Sequence, residues 1–469
     1  MTDLTKGSTL KQIFFFAIPY LIGNLFQQFY NVADMFIVGR TLDASAYAAV
    51  GATGSLVWFA TGAIQSLTLG FSVILAQFLG GGEKEKLKKA FGASITLSAI
   101  ISVAVSALSV LFARPILELL QTPADIIDRS HSYLIWIFAG LAATALFNLL
   151  SNAIRALGDS KTPLYFLVIA CVINIILDFV FISLCGMDTD GAGLATVTAQ
   201  LISGLLCILY IRKKQPLLHI GRRHLKWDGR MNRRLLKVGI PMAFLNMVLA
   251  VGSIAMQFVT NGLGTLYVTA QTTGAKLEQF VTMPILSFGS AVSVFTAQNY
   301  GARKPDRVMD GGRKALLLCH LWSILSAALI LPFGSALIRL FIGGDVDAAV
   351  VENGYLYITV NTCLVFVLSP LVIYKSVLQS VGRTFWTMVS GFTEILARAG
   401  TSMLVLFLMN GLNLFSDERG FFFMCFANPM AWLFGLLTVI LDYFGLMRHL
   451  RRQMAEDRTA AEKAFPQQE

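Results

Sequence analysis

The apolar residues of this chain fall into twelve long runs separated by short charged connections, and that pattern leaves few folds open. The runs cover approximately 13–38, 51–79, 90–112, 130–153, 163–185, 191–211, 235–260, 266–299, 315–340, 354–379, 385–411 and 421–446. Each can cross a bilayer as a helix, for which about 20 residues suffice. Inside lipid, a segment must satisfy its own backbone groups. The expected fold is therefore an all-α polytopic membrane protein with twelve transmembrane helices. Gly and Pro recur within the runs, as membrane helices tolerate. Composition agrees: 56% of residues are hydrophobic and 14% charged, against about 25% charged in a soluble domain.

A net charge of +10 invites a nucleic-acid reading. Its distribution argues against one. Of the 37 Lys and Arg, 29 fall on the connections that share a side with the N-terminus. Five lie on the opposite side (Arg40, Arg114, Arg129, Arg339, Arg419) and three within spans (Lys276, Lys375, Arg398). The positive-inside rule then places both termini in the cytoplasm, for a multi-pass protein of the inner (cytoplasmic) membrane. The basic excess reads as topology and attraction to the inner leaflet, with no nucleic-acid partner. The first run is too long for a signal peptide and lacks a small-residue cleavage site, so it reads as a retained span. The tail after 446 is read as an amphipathic or disordered cytoplasmic end.

Span one is the most informative. It reads IFFFAIPYLIGNLFQQFYNVADMFIV and carries an acid, Asp34. Asn24, Gln27, Asn31 and Asp34 fall on one helical stripe, with Tyr30 a turn before the acid. An ionisable residue inside a span is a functional-site hypothesis by default. Asn24, Gln27, Tyr30 and Asn31 become candidates for lining a substrate cleft. Pro19 interrupts the lower part of the span and, with Gly23 nearby, is a hinge candidate. A built-in kink is the plainer reading, since Pro241 recurs at the matching place.

That recurrence belongs to an internal repeat. Ile18-Pro19 matches Ile240-Pro241, and Asn24 matches Asn246, a further cleft candidate. Ala76-Gln77 and Gly80 match Ala297-Gln298 and Gly301, each leading into a basic loop. Tyr133-Leu134 matches Tyr355-Leu356. Six spans per half means that both halves run in the same direction, as parallel repeats about an axis along the membrane normal do. The expected organisation is an N-lobe at 1–211, a cytoplasmic linker at 212–234, a C-lobe at 235–446 and a tail at 447–469. Substrate paths in such repeats run between the halves, which rock to alternate access.

Several stretches carry a family resemblance: IPYLIGNLFQQFYNVADMFIVGRTLDASAYAAVG, LAQFLGGG, NAIRALGDSKTPLYFLVIACVINIILDFVFI and, in the second half, VFTAQNYGARKPDRV. In this ordered set the chain resembles the MATE multidrug and toxic compound extrusion transporters, nearest the bacterial DinF-like and MepA-like branch. The resemblance implies a V-shaped pair of six-helix lobes. It also implies export of organic cations or amphiphilic drugs, driven by inward H⁺ or Na⁺.

The residues of span five support an ion site independently. Asn174 and Asp178, at i and i+4 in NIILDF, face the same way. Asp34 lies ~6 Å and Asp178 roughly 10 Å below the outer ends of their spans at 1.5 Å per residue. Thr196 sits a turn inside span six, and Tyr133 at the outer end of span four. Two carboxylates with amide, hydroxyl and phenol oxygens suit a hard monovalent cation or a shared proton; the oxygens serve H⁺ and Na⁺ alike. Burial and a neighbouring carboxylate favour proton uptake by such a pair in general. The resemblance assigns coupling roles to the same residues: Asp34, Asn174, Asp178 and Thr196. Asn174 and Thr196 equally suit a structural role as interhelical glue.

The second half lacks the acid of span one, because Met256 stands where Asp34 has its match. It carries instead Lys276, Glu278, Lys375, Glu394 and Arg398. Glu394 and Arg398, at i and i+4, are expected to pair within a structural network. Glu278 is a further candidate to meet a cationic substrate. Six dispersed cysteines, with no C-x-x-C, argue against a disulfide framework. No metal is expected beyond Na⁺ at the coupling site. His320, the one deeply placed histidine, is expected to hydrogen-bond a neighbour. No phosphate-binding G-x-x-x-x-G-K-[ST] occurs, so neither ATP hydrolysis nor any cofactor is expected. The sequence points to a monomeric secondary active exporter that is not an enzyme. A flippase or exporter of a lipid-linked or anionic metabolite is the alternative, with Lys276, Lys375 and Arg398 as its cations.

Overall fold

The computed structural model describes residues 2–343 and 347–464, apart from the side chains of 31, 248–251, 253–255 and 457–464. Every long element is a helix. In chain order they are α1 (Thr9–Thr41), α2 (Ala44–Gly80), α3 (Lys84–Leu119), α4 (Ile127–Ala139), α5 (Leu141–Ala156), α6 (Lys161–Asp178) and α7 (Thr189–Lys214). There follow α8 (Gly229–Gly262), α9 (Thr265–Gly301), α10 (Pro305–Ile342), α11 (Ala348–Ser380), α12 (Phe385–Leu406), α13 (Asp417–Met424) and α14 (Ala427–Ala464). Among the described residues, ten helical stretches are long and apolar enough to cross a membrane, and eleven when α4 and α5 count as one span. The remaining expected run, 235–260, falls on α8. The tail continues α14 as helix to Ala464.

Spans four, five and eleven are among those that depart from the uninterrupted helices that periodicity alone predicts. Span four breaks at Gly140, where α4 and α5 meet at 45°. Val197 fills the space in front of that glycine: a Cβ at 140 would lie 2.1 Å from Val197 Cγ2. Ser106 on α3 donates to the Phe138 carbonyl at 2.6 Å, beside the break. Such a partner matters in lipid, where an unsatisfied backbone group costs several kcal/mol. Span five changes from α-helix to a π turn over Phe179–Leu184, immediately after Asp178. Span eleven does the same over Phe407–Gly411. Single π turns concentrate at functional positions in helices.

The chain divides into two compact units, Met1–Leu4 with Ile18–Met247, and Thr5–Ala17 with Val248–Glu469. Of the three boundaries, 17/18 and 247/248 fall inside helices α1 and α8, and 4/5 precedes α1. In the first unit α2, α3, α4 and α7 surround α5 and one another. Its core includes Val38, Val50, Ile64, Leu117, Leu134 and Phe138. Glycines bring helices close here, as small residues do in membranes: a Cβ on Gly70 of α2 would lie 2.6 Å from the Gly239 Cα of α8.

In the second unit α9, α10 and α11 pack together, and α14 packs on α11 and α12. Tyr357, Met409, Phe421 and Met424 are among its core residues. Arg307 ties segment 5–17 to this unit. It donates to the Gly7 carbonyl at 2.8 Å and to Gln12 Oε1 at 2.9 Å, while Lys304 Nζ reaches the Thr5 carbonyl at 2.8 Å. Asn299 Oδ1 accepts from Arg307 Nε at 2.9 Å and so orients the guanidinium.

Replacing Gly140 by Val puts a branched side chain where Val197 already sits. Overpacking of this kind costs about 1–3 kcal/mol. A Gly140→Val variant is expected to melt at lower temperature in detergent than the parent, read by intrinsic fluorescence; an unchanged midpoint refutes the tight α4–α7 packing.

Candidate functional site

The first unit brings Asp34, Asp178, Asn174, Thr196, Tyr133 and Tyr30 into one cluster. Asp34 comes from α1, Asn174 and Asp178 from α6, Thr196 from α7 and Tyr133 from α4. Asn174 and Asp178 are fully buried, and Asp34 and Tyr133 are each 6% exposed. With its amide oriented to satisfy both neighbours, Asn174 donates to Asp178 Oδ2 at 3.0 Å and accepts the backbone N–H of Thr196 at 3.2 Å. The Tyr30 and Thr196 hydroxyls lie 2.8 Å apart. The Asp34 and Asp178 carboxyls are within hydrogen-bond reach of each other. Both tyrosines stand close enough to feel both carboxyl charges. Asp34 Oδ1 is buried with no hydrogen-bond partner among the described residues.

Local structure explains the arrangement. The i, i+4 spacing sets Asn174 beside Asp178 on one face of α6. Gly193 on α7 lets α4 approach: a Cβ there would lie 2.9 Å from both Trp136 Cβ and the Tyr133 carbonyl oxygen. A staple closes the helix ends on the same side. Arg129 on α4 donates to Asp43 Oδ1 at 2.7 Å and to Asp188 Oδ2 at 2.8 Å. Asp43 caps α2 by accepting from Ala46 N, and Asp188 caps α7 by accepting from Thr189 N. Hydrogen bonding from Arg129 holds the Asp43 carboxyl below its usual range. Exposed ion pairs contribute little each. This one joins three connections through a single guanidinium, and the sequence offered no signal for it beyond an arginine on the sparsely basic side.

The cleft candidates scatter. Tyr30 belongs to the carboxylate cluster. Asn24 is half-buried, and Gln27 is exposed. The Asn31 side chain lies outside the described residues. Asn246 Nδ2 donates to Ser66 Oγ at 3.1 Å and so joins α8 to α2. Helix α1 runs unbroken through Pro19.

Glu278 sits in a separate cluster in the second unit. Tyr357 donates to its Oε2 at 2.8 Å, and Asn428 Nδ2 lies 3.3 Å from each carboxylate oxygen and 3.1 Å from the Tyr357 hydroxyl. Sequence reasoning missed Tyr357 and Asn428. The repeat pointed two residues away, to Tyr355, whose hydroxyl instead donates to the Leu331 carbonyl at 2.7 Å. Asn428 was visible only as an amide inside an apolar run.

The expected Glu394–Arg398 pair does not form. Glu394 pairs with Lys375 across helices α12 and α11 and accepts from Ser390 Oγ at 3.0 Å. Packing decided between the two cations, because Lys375 and Glu394 are both buried and face each other. Arg398 is 7% exposed and feels the Glu278 charge; its Nε has no hydrogen-bond partner among the described residues. Lys276 is exposed. His320 Nδ1 also lacks a partner there, contrary to expectation; its ring lies against Phe366 with centroids 5.6 Å apart.

Membrane-length helices that bury hydrogen-bonded carboxylates in their interior mark proteins that move ions or polar solutes across the bilayer. This is such a polytopic membrane transporter, and it belongs to the MatE family, whose model matches residues 19–180 and 241–404. It is 30% identical to "Probable multidrug resistance protein YpnP" of Bacillus subtilis (strain 168), over 76% of this chain and 79% of that protein. It is 25% identical to an "FAD transporter" of Shewanella oneidensis, over 80% of this chain and 82% of that protein. A solved structure, "Crystal structure of MATE in complex with MaL6", superposes with a TM-score of 0.87 at 18% identity, covering 96% of this chain and all of that one.

Asn174→Leu removes the amide donor to Asp178 and leaves a buried acceptor unmet, at a cost of about 1–3 kcal/mol. The variant's melting temperature in detergent should fall measurably, while Gln27→Leu, at an exposed position, should leave it unchanged.

Proposed function

We propose that this transporter is a multidrug exporter that moves organic, mostly cationic or amphiphilic compounds outward in exchange for inward H⁺ or Na⁺. The observation that carries the reading is the unpartnered Asp34 Oδ1 beside Asp178. Two carboxyl groups buried beside each other resist joint ionisation without a cation between or on them. A proton supplies the missing hydrogen bond. A Na⁺ ion finds hard oxygen donors in both carboxylates and in the hydroxyls of Thr196 and Tyr30. The donor set fits either ion.

Cation arrival and departure would change which oxygen Asn174, Thr196 and Tyr30 serve. Those residues lie on α6, α7 and α1, and the π turn after Asp178 gives α6 a place to readjust. Pro19 and Gly23 give α1 a second one. Coupling of this kind requires the cation and the exported compound to favour different states of the transporter. The charge bias of the connections supports cytoplasmic termini in the cell membrane, and thus outer access to the acids. The likeness to YpnP supports drug-like substrates. The protein is proposed to act as a monomer whose N-lobe (1–211) binds the cation.

The test is efflux of a fluorescent organic cation from proteoliposomes under an imposed pH gradient and, separately, a Na⁺ gradient. One gradient should drive efflux in the parent. Asp34→Asn, inserted and folded normally, should reduce it at least tenfold. Wild-type efflux by that variant would sink the coupling role.

Arg398 favours a second reading, export of an anionic compound. A buried guanidinium with an unpartnered Nε can receive a carboxylate or phosphate, and one relative is named an FAD transporter. Under this reading neither gradient drives efflux of an organic cation, a phosphate-bearing compound is exported instead, and Arg398→Gln lowers that export at least tenfold.

A further inference from the structure

A basic cavity remains unexplained by transport through the bundle. The chain between α7 and α8 forms two short 3₁₀ turns, Pro216–Leu218 and Arg222–Leu225. The second packs on the start of α3. Gly92 permits the contact, since a Cβ at that position would lie 2.1 Å from the His224 carbonyl oxygen. His224 is buried, and its Nδ1 accepts from Gly221 N at 2.9 Å. Beside this turn lies a cavity of about 560 Å³ lined by Lys89, Arg223, Lys226, Trp227, Asp228 and Arg230, among others.

The nearby acids are already engaged. Glu85 faces Arg223 and His224 at 3.4 and 3.5 Å. Asp228 Oδ1 accepts the backbone N–H groups of Arg230 and Met231 at 3.0 and 3.1 Å, at the start of α8. Lys89, Lys226 and Arg230 are exposed, and none forms an ion pair among the described residues. Three like charges around one preformed cavity repel each other unless an anion joins them.

The surroundings identify the source of that anion. Trp227 is 66% exposed and Leu225 42% exposed, in the same short connection. An indole beside lysines at the ends of spanning helices is the residue pattern of the headgroup level. A site for a soluble anion has no use for these apolar neighbours. We propose that this cavity binds the headgroup phosphate of an anionic phospholipid in the adjoining leaflet. Lys89, Lys226 and Arg230 hold the phosphate, and Trp227 and Leu225 rest against the glycerol and upper acyl region.

The test uses the full-length protein in detergent with equal amounts of phosphatidylglycerol and phosphatidylcholine, and native mass spectrometry to count bound lipids. The parent should retain phosphatidylglycerol preferentially. The triple variant Lys89→Gln, Lys226→Gln, Arg230→Gln should lose that preference at least fivefold with an unchanged melting temperature, because all three side chains are exposed. A charge-matched control outside the cavity, Lys84→Gln, Lys86→Gln, Lys88→Gln, should keep it. Equal lipid preference in the first triple variant and the parent overturns the proposal. So does an equal loss in the control, which means diffuse attraction. Displacement of the lipid by millimolar inorganic phosphate overturns it as well, and makes the cavity a soluble-anion site.

Discussion

In a bilayer no water completes a broken backbone, and that constraint shapes the whole molecule. Helices satisfy their own amides and carbonyls, so the chain is almost entirely helix. Wherever a span departs from regularity, a partner has to be supplied. At Gly140 it is Ser106. After Asp178 the helix widens by a π turn, so the ladder shifts without being abandoned. These two departures sit next to the polar cluster: the bend at Gly140 lies two turns beyond Tyr133, and the π turn begins at Phe179, directly after Asp178. In the first unit, irregular backbone and buried carboxyl groups occupy the same short stretch.

The same economy governs side chains. Each buried charge has to be shared, paired or balanced. Lys375 and Glu394 pair directly. Glu278 rests on two neutral donors, with Arg398 as a more distant counter-charge. Asp34 and Asp178 have each other and Asn174, but one oxygen remains unmet. The two units thus treat their acids differently. The second carries its positive charges as fixed side chains. The first leaves Asp34 Oδ1 buried without a hydrogen-bond partner among the described residues, and the proposed coupling role of Asp34 and Asp178 rests on this difference.

Much of this was legible in advance. The apolar runs fixed the helices because burial in lipid permits little else, and the repeat was visible as matched Pro, Gln and Gly positions. The i, i+4 pair Asn174–Asp178 followed from helical geometry. Neighbours on different helices were harder to see. Glu394 chose Lys375 over Arg398, since a local i, i+4 pair competes with a partner held face to face by packing. Tyr357 was missed for Tyr355 because a two-residue shift between repeats turns a side chain through 200° at 100° per residue. Asn246 joined Ser66, and Gln27 was left exposed, although both share with Asp34 the polar chemistry that suggested a cleft.

Sequence by itself determined that this is a helical membrane protein, that its basic residues gather on alternate connections, and which acids lie inside the apolar runs. These follow from transfer energies and helical period, which act residue by residue. Only the tertiary structure decided who meets whom: that Tyr30 faces Thr196, that Arg129 joins three connections, and that Lys89, Lys226 and Arg230 surround one cavity. Such contacts depend on helix rotation and depth, set by close approaches such as Gly193 against Tyr133. No local pattern encodes these distances between segments far apart in the chain.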